Sequence, residues 1–133
     1  MSFVETDQRA KTHRILVVDD HPIVRHALAE LVAREEGLEI CGEAANAHQA
    51  LQQVELTHPD LAVVDICLEG DNGLHLIRQI RLLHPDVKML VISMHDEAIF
   101  APRALRAGAR GYIDKRDSIR GMIDAIRIVL QGD

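Results

Sequence analysis

Five polar residues each follow an apolar run that is typical of a buried strand: Asp19, Asp20, Asp65, Ser93 and Lys115. In a parallel sheet, the carboxyl ends of all strands lie at one edge. That edge would carry three carboxylates, one hydroxyl and one amine. Carboxylate oxygens are the preferred ligands of hard divalent cations, and a carboxylate can also act as a nucleophile. The set could therefore hold a divalent cation and accept a phosphoryl group.

The composition indicates one folded domain. The chain has 133 residues, of which 47% are hydrophobic, so it can bury a core. Its 15 basic and 21 acidic residues give a net charge of −6. This balance argues against nucleic-acid binding by this segment, because phosphate neutralisation requires clustered Lys and Arg.

The two cysteines, Cys41 and Cys67, lie in or beside predicted strands, so we expect buried free thiols and a cytoplasmic location. The apolar runs are too short to cross a membrane. Residues 1–12 are polar and lack the apolar stretch of a signal peptide, which predicts a short flexible tail. The folded domain is expected to span residues 13–133.

Apolar runs alternate with helical patterns along the chain, giving five strand–helix units. Pro22 suits the first turn of the first helix, which Gly37 is predicted to end. Asn46 is a predicted cap of the second helix, with Gln49 as its capping-box partner. Such alternation predicts a parallel sheet with helices on both faces and right-handed crossovers.

The fourth helix is the weakest of the five predicted helices. Its apolar face consists of Ile99, Ala104 and Leu105. Pro102 would block a hydrogen bond if it lay deep in the helix, so the regular part is predicted to start near Phe100 or later. A thin apolar face is typical of a mobile element.

These residues, in this order on the strand ends, closely resemble the receiver domain of bacterial two-component response regulators, over about residues 13–131. Four runs resemble the NarL/FixJ (LuxR-type) subfamily in particular: residues 15–25, 42–51, 91–97 and 105–115. The resemblance implies a flavodoxin-like α/β fold, with a five-stranded parallel sheet of order 2-1-3-4-5 flanked by five helices. It also implies phosphorylation by a sensor histidine kinase and a requirement for Mg²⁺ (or Mn²⁺).

The resemblance makes Asp65 the phosphoacceptor, whose carboxylate would form an acyl phosphate. Asp20 and Asp65 would bind the metal directly, Asp19 through a water molecule, and the backbone carbonyl of Cys67 would be a further ligand. Crowded carboxylates repel one another, and a cation relieves that repulsion. The plain alternatives are a solvated strand-end carboxylate for Asp65 and a helix cap for Asp20.

Ser93 and Lys115 would bind the phosphoryl oxygens, and Tyr112 resembles the family's switch aromatic, which rotates inward when Ser93 moves. The alternatives are a Ser that bonds the backbone, an exposed Lys and a half-buried strand aromatic. His95 and Cys67 follow Ser93 and Asp65 by two residues. We hypothesise that they tune the access of hydrolytic water and so the acyl-phosphate lifetime.

Two positions depart from the family pattern. Glu69 stands four residues after Asp65, where the family usually has Pro, which predicts a more flexible and more acidic loop. Its carboxylate could strengthen cation binding or hinder the phosphodonor. Arg116 replaces the Pro that often follows the Lys in cis linkage. A cis bond before a non-proline residue costs about 3 kcal/mol, so a trans bond is expected.

The residues also bear on three other functions. An aspartyl-phosphate phosphatase would carry a second acid in D-x-D, where this chain has Cys67. A flavodoxin-like cofactor module would need a phosphate-binding glycine loop after the first strand and aromatics to stack on a flavin, and the aromatic content is 2%. A degenerate or stand-alone receiver, acting as a binding module without phosphorylation, remains open because of Glu69.

Subfamily resemblance implies a longer protein, with a C-terminal helix-turn-helix domain that binds DNA and regulates transcription. The 133 residues are then expected to be its receiver part, which forms a homodimer on phosphorylation. It would not be an enzyme beyond catalysing its own phosphorylation and dephosphorylation, and no membrane association is expected.

Overall fold

The computed structural model describes residues 12–66, 73–93, 97–114 and 119–132. The strands are β1 (His13–Val18), β2 (Leu38–Ala44), β3 (Leu61–Asp65), β4 (Lys88–Ser93) and β5 (Gly111–Asp114). The helices are α1 (Pro22–Ala33), α2 (Ala47–Thr57), α3 (Gly73–Leu83), α4 (Glu97–Ala107) and α5 (Ile119–Leu130). Residues 1–11, the greater part of the predicted tail, lie outside the described residues.

The five strands form one parallel sheet in the order β2-β1-β3-β4-β5. The predicted fold, a 2-1-3-4-5 sheet with five helices, is therefore confirmed. The order reverses between β1 and β3, which is where ligands bind in open α/β sheets. Asp19 directly follows β1, and Asp65 is the last residue of β3.

The central strands β1, β3 and β4 are buried on both faces of the sheet, and their residues alternate between the faces. Leu16, Val18, Ala62 and Val64 pack with residues of α2, α3 and α4. Their neighbours Ile15, Val17, Leu61 and Val63 pack with residues of α1 and α5. Central strands covered on both sides need apolar residues, which explains why residues 15–18 of β1 and 61–64 of β3 are continuous apolar runs rather than alternating ones.

The start of α2 follows the predicted capping pattern with one difference. The Asn46 side chain accepts a hydrogen bond of 2.9 Å from the Gln49 backbone N–H. The Gln49 side-chain oxygen accepts from the Ala45 N–H, at 2.8 Å, one residue before the N–H of a standard capping box. Two polar backbone groups at the helix entry are thereby satisfied.

The predicted end of α1 at Gly37 is wrong, because the helix ends at Ala33. Gly37 instead has a positive φ of 83° in the turn before β2, a conformation that glycine adopts without strain. The first part of the prediction is confirmed, since Pro22 occupies the first turn, where its missing N–H leaves no partner unsatisfied.

The predicted start of α4 is also wrong. The helix begins at Glu97 and continues through Pro102, so it tolerates the loss of one hydrogen bond. Leu105 was expected on the inner face but is 50% exposed. Of the α4 side chains that the structure describes, Phe100, Ala104 and Ala107 face the core, and their spacing of four and three residues is the helical repeat. The side chain of Ile99 lies outside the described part.

Cys41 is a free thiol that is only partly buried, which corrects the expectation of a buried one. The register between β1 and β2 shifts between Ile15 and Leu16, so Cys41 is the extra residue of a bulge. Its thiol donates to the Thr57 hydroxyl at 3.4 Å. Cys67 lies outside the described residues. None of the helices in the described ranges has the length and apolar character needed to span a membrane.

Candidate functional site

Three carboxylates meet where β1 and β3 end. Asp19 and Asp20 directly follow β1, and Asp65 is the last residue of β3. Because Val18 pairs with Val64, these strands end at the same level of the sheet. The structure therefore brings together the three acidic residues that the sequence predicted to be close.

Burial of these carboxylates is uneven. Asp19 is fully buried and Asp65 is 2% exposed, whereas the Asp20 side chain is 17% exposed. One ligand atom from each of Asp19, Asp20, His21 and Asp65 lies within 4.8 Å of the others. Placing several carboxylates in a buried position is unfavourable unless a cation balances them. Oxygen atoms at this spacing suit a hard divalent cation.

The turn after β1 is held by the Asp19 side chain. Its Oδ1 accepts a hydrogen bond of 2.8 Å from the His21 backbone N–H, which is the two-residue pattern of an Asx turn. Pro22 then starts α1. This local bond sets the direction in which the chain leaves the strand, and Asp20 lies between the two bonded residues.

His21 belongs to this cluster, although it was absent from the predicted site residues. Its Nδ1 lies 3.1 Å from Asp19 Oδ1, 3.1 Å from Asp20 Oδ1 and 3.9 Å from Asp65 Oδ2. The signal that could have identified it is its position next to the acidic pair, immediately before the helix-starting proline.

Arg25 is a second residue that the sequence did not reveal. Its Nη1 donates to the backbone carbonyl of Asp19 at 2.7 Å, and its Nε donates to Glu43 Oε1 at 3.0 Å. The Arg25 side chain is only 16% exposed. The guanidinium therefore ties the turn that carries Asp19 to strand β2, using two of its fixed donors.

Ser93 ends β4 and is fully buried. Ile92, the residue before Ser93, pairs with Asp65. The N–H of Ile66 donates to the carbonyl of Ile92 at 3.0 Å. Ile66, the residue after Asp65, is thus bonded to the end of β4. Ser93 therefore lies at the strand edge where the sequence placed it, in the strand adjacent to Asp65.

The close approach of α3 to this edge of the sheet depends on Gly73. A Cβ added at this residue would lie 2.3 Å from the backbone oxygen of Ile66, which is nearer than real Cβ contacts allow. Only glycine permits such an approach of a helix to the backbone that follows the site. The first residue of α3 thereby contacts the residue next to Asp65.

Tyr112 lies in β5, opposite Val91 of β4. It is partly buried. Tyr112 and Phe100 of α4 both pack against the apolar cluster that contains residues of α2, α3 and α4. This position allows the predicted switch role but also fits an ordinary strand aromatic. The remaining predicted site residues lie outside the described part of the chain: Cys67, Glu69, His95, Lys115 and Arg116.

The chain is similar to known proteins of one family. Residues 15–127 match the family model described as the response regulator receiver domain. Response regulator GacA of Pseudomonas viridiflava is 35% identical over 119 residues, which cover 90% of this chain and 56% of GacA. Transcriptional regulatory protein DegU of Brevibacillus brevis is 32% identical, covering 90% of this chain and 50% of DegU.

A solved structure is similar throughout. The two-component response regulator of the LuxR family from Aurantimonas sp. SI85-9A1 superposes with a TM-score of 0.87 and 38% identity, covering 91% of this chain and 86% of that one. The chain spans about half the length of the curated relatives it matches.

Proposed function

Because this chain belongs to the response regulator receiver domain family, we propose that it is a phosphorylation switch in which Asp65 accepts a phosphoryl group from a sensor histidine kinase. The observation that supports this most strongly is the cluster of Asp19, Asp20 and Asp65 at the reversal of strand order. We assign the chain to the NarL/FixJ (LuxR-type) subfamily, which the similarity to a LuxR-family regulator supports.

In the proposed reaction, a carboxylate oxygen of Asp65 attacks the phosphorus of a phosphohistidine. The new bond joins this oxygen to phosphorus, and the bond between phosphorus and the imidazole nitrogen of the kinase breaks. Asp19 and Asp20 do not react. Mg²⁺ (or Mn²⁺) would be held directly by Asp20, Asp65 and the backbone carbonyl of Cys67. Asp19 would hold it through a water molecule. The cation, when bound, neutralises the phosphoryl oxygens and so favours transfer.

Ser93 and Lys115 would bind the phosphoryl group once it is on Asp65. A hydroxyl can donate to one phosphoryl oxygen, and an ammonium can pair with another. Movement of Ser93 would let Tyr112 turn inward, and α4, β5 and α5 would change together. Tyr112 of β5 and Phe100 of α4 are both partly buried against the same apolar cluster, which supports this coupling. His95, Cys67 and Glu69 would tune the lifetime of the acyl phosphate.

The output we propose is transcriptional control. Residues 13–133 would be the receiver domain, following the tail of residues 1–12, and a C-terminal helix-turn-helix domain of the full-length protein would bind DNA. Phosphorylated receivers would pair as a homodimer in the cytoplasm. The names of the relatives GacA and DegU, a response regulator and a transcriptional regulatory protein, support this part of the proposal.

The switch can be tested through Tyr112, because it is the only tyrosine and the chain has no tryptophan. Intrinsic fluorescence thus reports on this residue alone. Beryllofluoride with Mg²⁺ should change the fluorescence of the wild type and leave that of Asp65→Asn unchanged. Asp60→Asn is a matched control, because Asp60 precedes β3 at the opposite edge, where it accepts from the Arg14 N–H.

A response of wild type and Asp60→Asn, but not of Asp65→Asn, is the expected result. If no variant responds although beryllofluoride binds, Tyr112 is not part of a switch. If beryllofluoride does not bind to the wild type, the chain is a degenerate receiver that acts as a binding module without phosphorylation.

A further inference from the structure

The cation site contains one side chain that phosphoryl transfer does not use. His21 Nδ1 lies at 3.1 Å from both Asp19 and Asp20 and at 3.9 Å from Asp65. Among the described residues, this is the one group of at least three acidic, His or Cys side chains with the spacing of a metal site. The imidazole nitrogen is therefore placed like a ligand of the same ion.

The backbone keeps this imidazole at the site. The His21 N–H is bound by the Asp19 side chain, and the residue is extended, with φ −94° and ψ 106°, immediately before the proline that starts α1. Fixing a residue on both sides limits the range its ring can reach. The His21 side chain is 64% exposed, so it is accessible to an incoming hydrated ion.

Nitrogen and oxygen ligands favour different cations. Mg²⁺ prefers oxygen and releases its water reluctantly. Imidazole suits first-row transition cations, whose affinity for such sites rises from Mn²⁺ through Co²⁺ to Ni²⁺. Three carboxylates alone discriminate little between Mg²⁺ and the transition cations, whereas one added imidazole favours the transition cations.

We propose that His21 is a nitrogen ligand of the acidic site and raises its affinity for transition cations such as Co²⁺ relative to Mg²⁺. This inference rests on the cation-binding part of the proposed function. His21 then determines metal specificity, while Asp65 keeps its role as phosphoacceptor. The identity of the bound ion would depend on how much transition metal competes with Mg²⁺.

The test is isothermal titration of Mg²⁺ and of Co²⁺ into the 133-residue chain, as wild type, His21→Ala and His26→Ala. His26 is the matched control, because its side chain is 66% exposed on α1, the helix that His21 precedes, and it lies outside the cluster, 3.8 Å from Glu43. Both histidines are well exposed, so neither change should prevent folding. Alanine also keeps the backbone N–H that bonds Asp19.

Loss of an outer-shell partner already costs roughly 10–100-fold in metal affinity, so loss of a direct ligand should weaken Co²⁺ binding by at least about tenfold. His21→Ala should show this loss with Mg²⁺ affinity nearly unchanged, and His26→Ala should match the wild type. The visible absorption of bound Co²⁺ should also differ between wild type and His21→Ala, because its ligand set changes.

Equal loss, or no loss, of Co²⁺ and Mg²⁺ affinity in His21→Ala would overturn the assignment while leaving the proposed switch intact. A wild-type chain that binds neither cation would instead refute the cation-dependent function itself. An effect of His26→Ala equal to that of His21→Ala would show that Co²⁺ binds surface histidines rather than the acidic site.

Discussion

The carboxylates of Asp19, Asp20 and Asp65 lie close together, and we expect their mutual repulsion to lower the stability of the fold until a cation binds. Asp19 and Asp65 are almost fully buried, and Asp20 lies beside them. A pair of like charges about 4 Å apart repels by roughly 1 kcal/mol in water and about 4 kcal/mol near a protein surface. A bound divalent cation would remove this repulsion, so folding and metal binding should be coupled.

Replacing Asp20 tests this coupling. In EDTA, Asp20→Asn should increase the free energy of unfolding by roughly 1–4 kcal/mol, because one repelling charge is lost. Adding Mg²⁺ should stabilise the wild type, since a ligand that binds only the folded state shifts the equilibrium, and it should stabilise the variant much less. Urea denaturation with and without Mg²⁺ measures both effects.

A variant that is less stable than the wild type in EDTA, and equally stabilised by Mg²⁺, would contradict this view of Asp20. Asp124→Asn is the control. Asp124 is exposed on α5, and its replacement should change neither quantity.

Arg25 is expected to position the acidic pair. It binds the carbonyl of Asp19 and the carboxylate of Glu43 at once, so Arg25→Gln should leave the turn after β1 less well fixed. Partners of this kind typically contribute 10–100-fold to metal affinity, and we expect a loss of about tenfold for Mg²⁺. Titration calorimetry measures it.

The control for Arg25 is Arg34→Gln, which removes the same charge from an exposed position after the end of α1. Comparable loss of Mg²⁺ affinity in both variants would mean that the effect of Arg25 is one of overall charge. Arg25→Lys should recover only part of the affinity, because an ammonium cannot present the two fixed donors of the guanidinium.

Among the elements, the start of α3 lies directly against the residue that follows the Asp65 strand. Gly73 contacts the backbone of Ile66, and no side chain fits between them. Gly73→Ala should therefore destabilise the fold by about 1–3 kcal/mol, as overpacking does, and should also lower Mg²⁺ affinity. Urea denaturation and calorimetry on the same variant give the two values.

Gly37→Ala separates the two effects. An alanine there would contact nothing within 4 Å, but it would have to adopt a φ of 83°. We expect a loss of stability of about 1–2 kcal/mol with unchanged Mg²⁺ affinity, because the turn lies at the opposite edge of the sheet. Unchanged Mg²⁺ affinity in Gly73→Ala would show that the approach of α3 matters for folding alone.

The strands and helices also show which features of the fold and the site could be predicted from the sequence. The meeting of Asp19, Asp20 and Asp65 was predictable, because apolar runs locate the strands and the carboxyl ends of parallel strands lie at one edge. The strand order, in contrast, was implied by the resemblance to the receiver family. The extent of α4 was not predictable, since the local penalty of Pro102 is outweighed by packing of Ala104 and Ala107. Local propensity cannot weigh tertiary packing against a missing hydrogen bond.

The contributions of His21, Arg25 and Gly73 were missed for a different reason. Each acts through contacts that depend on atomic positions: a ring nitrogen, two guanidinium donors and a missing Cβ. A histidine, an arginine or a glycine has many ordinary roles, and its type alone does not reveal which neighbour it touches. The roles of Lys115, Cys67, Glu69 and His95 remain predictions.

At the scale of the whole molecule, one parallel sheet carries the site at one edge and apolar cores on both faces. The site lies where strand order reverses, and the proposed output surface of α4, β5 and α5 lies on the other side of β4. β4, which ends in Ser93, connects the two regions physically, because it pairs with both β3 and β5.

The central claim is that Asp65 accepts a phosphoryl group in a cation-dependent reaction. The most direct measurement is the intact mass of the chain after incubation with acetyl phosphate, with Mg²⁺ or with EDTA, for wild type, Asp65→Asn and Asp60→Asn. We predict the addition of one phosphoryl group to wild type and Asp60→Asn in Mg²⁺ only, and none to Asp65→Asn. Addition to Asp65→Asn, or none to the wild type in Mg²⁺, would contradict the account.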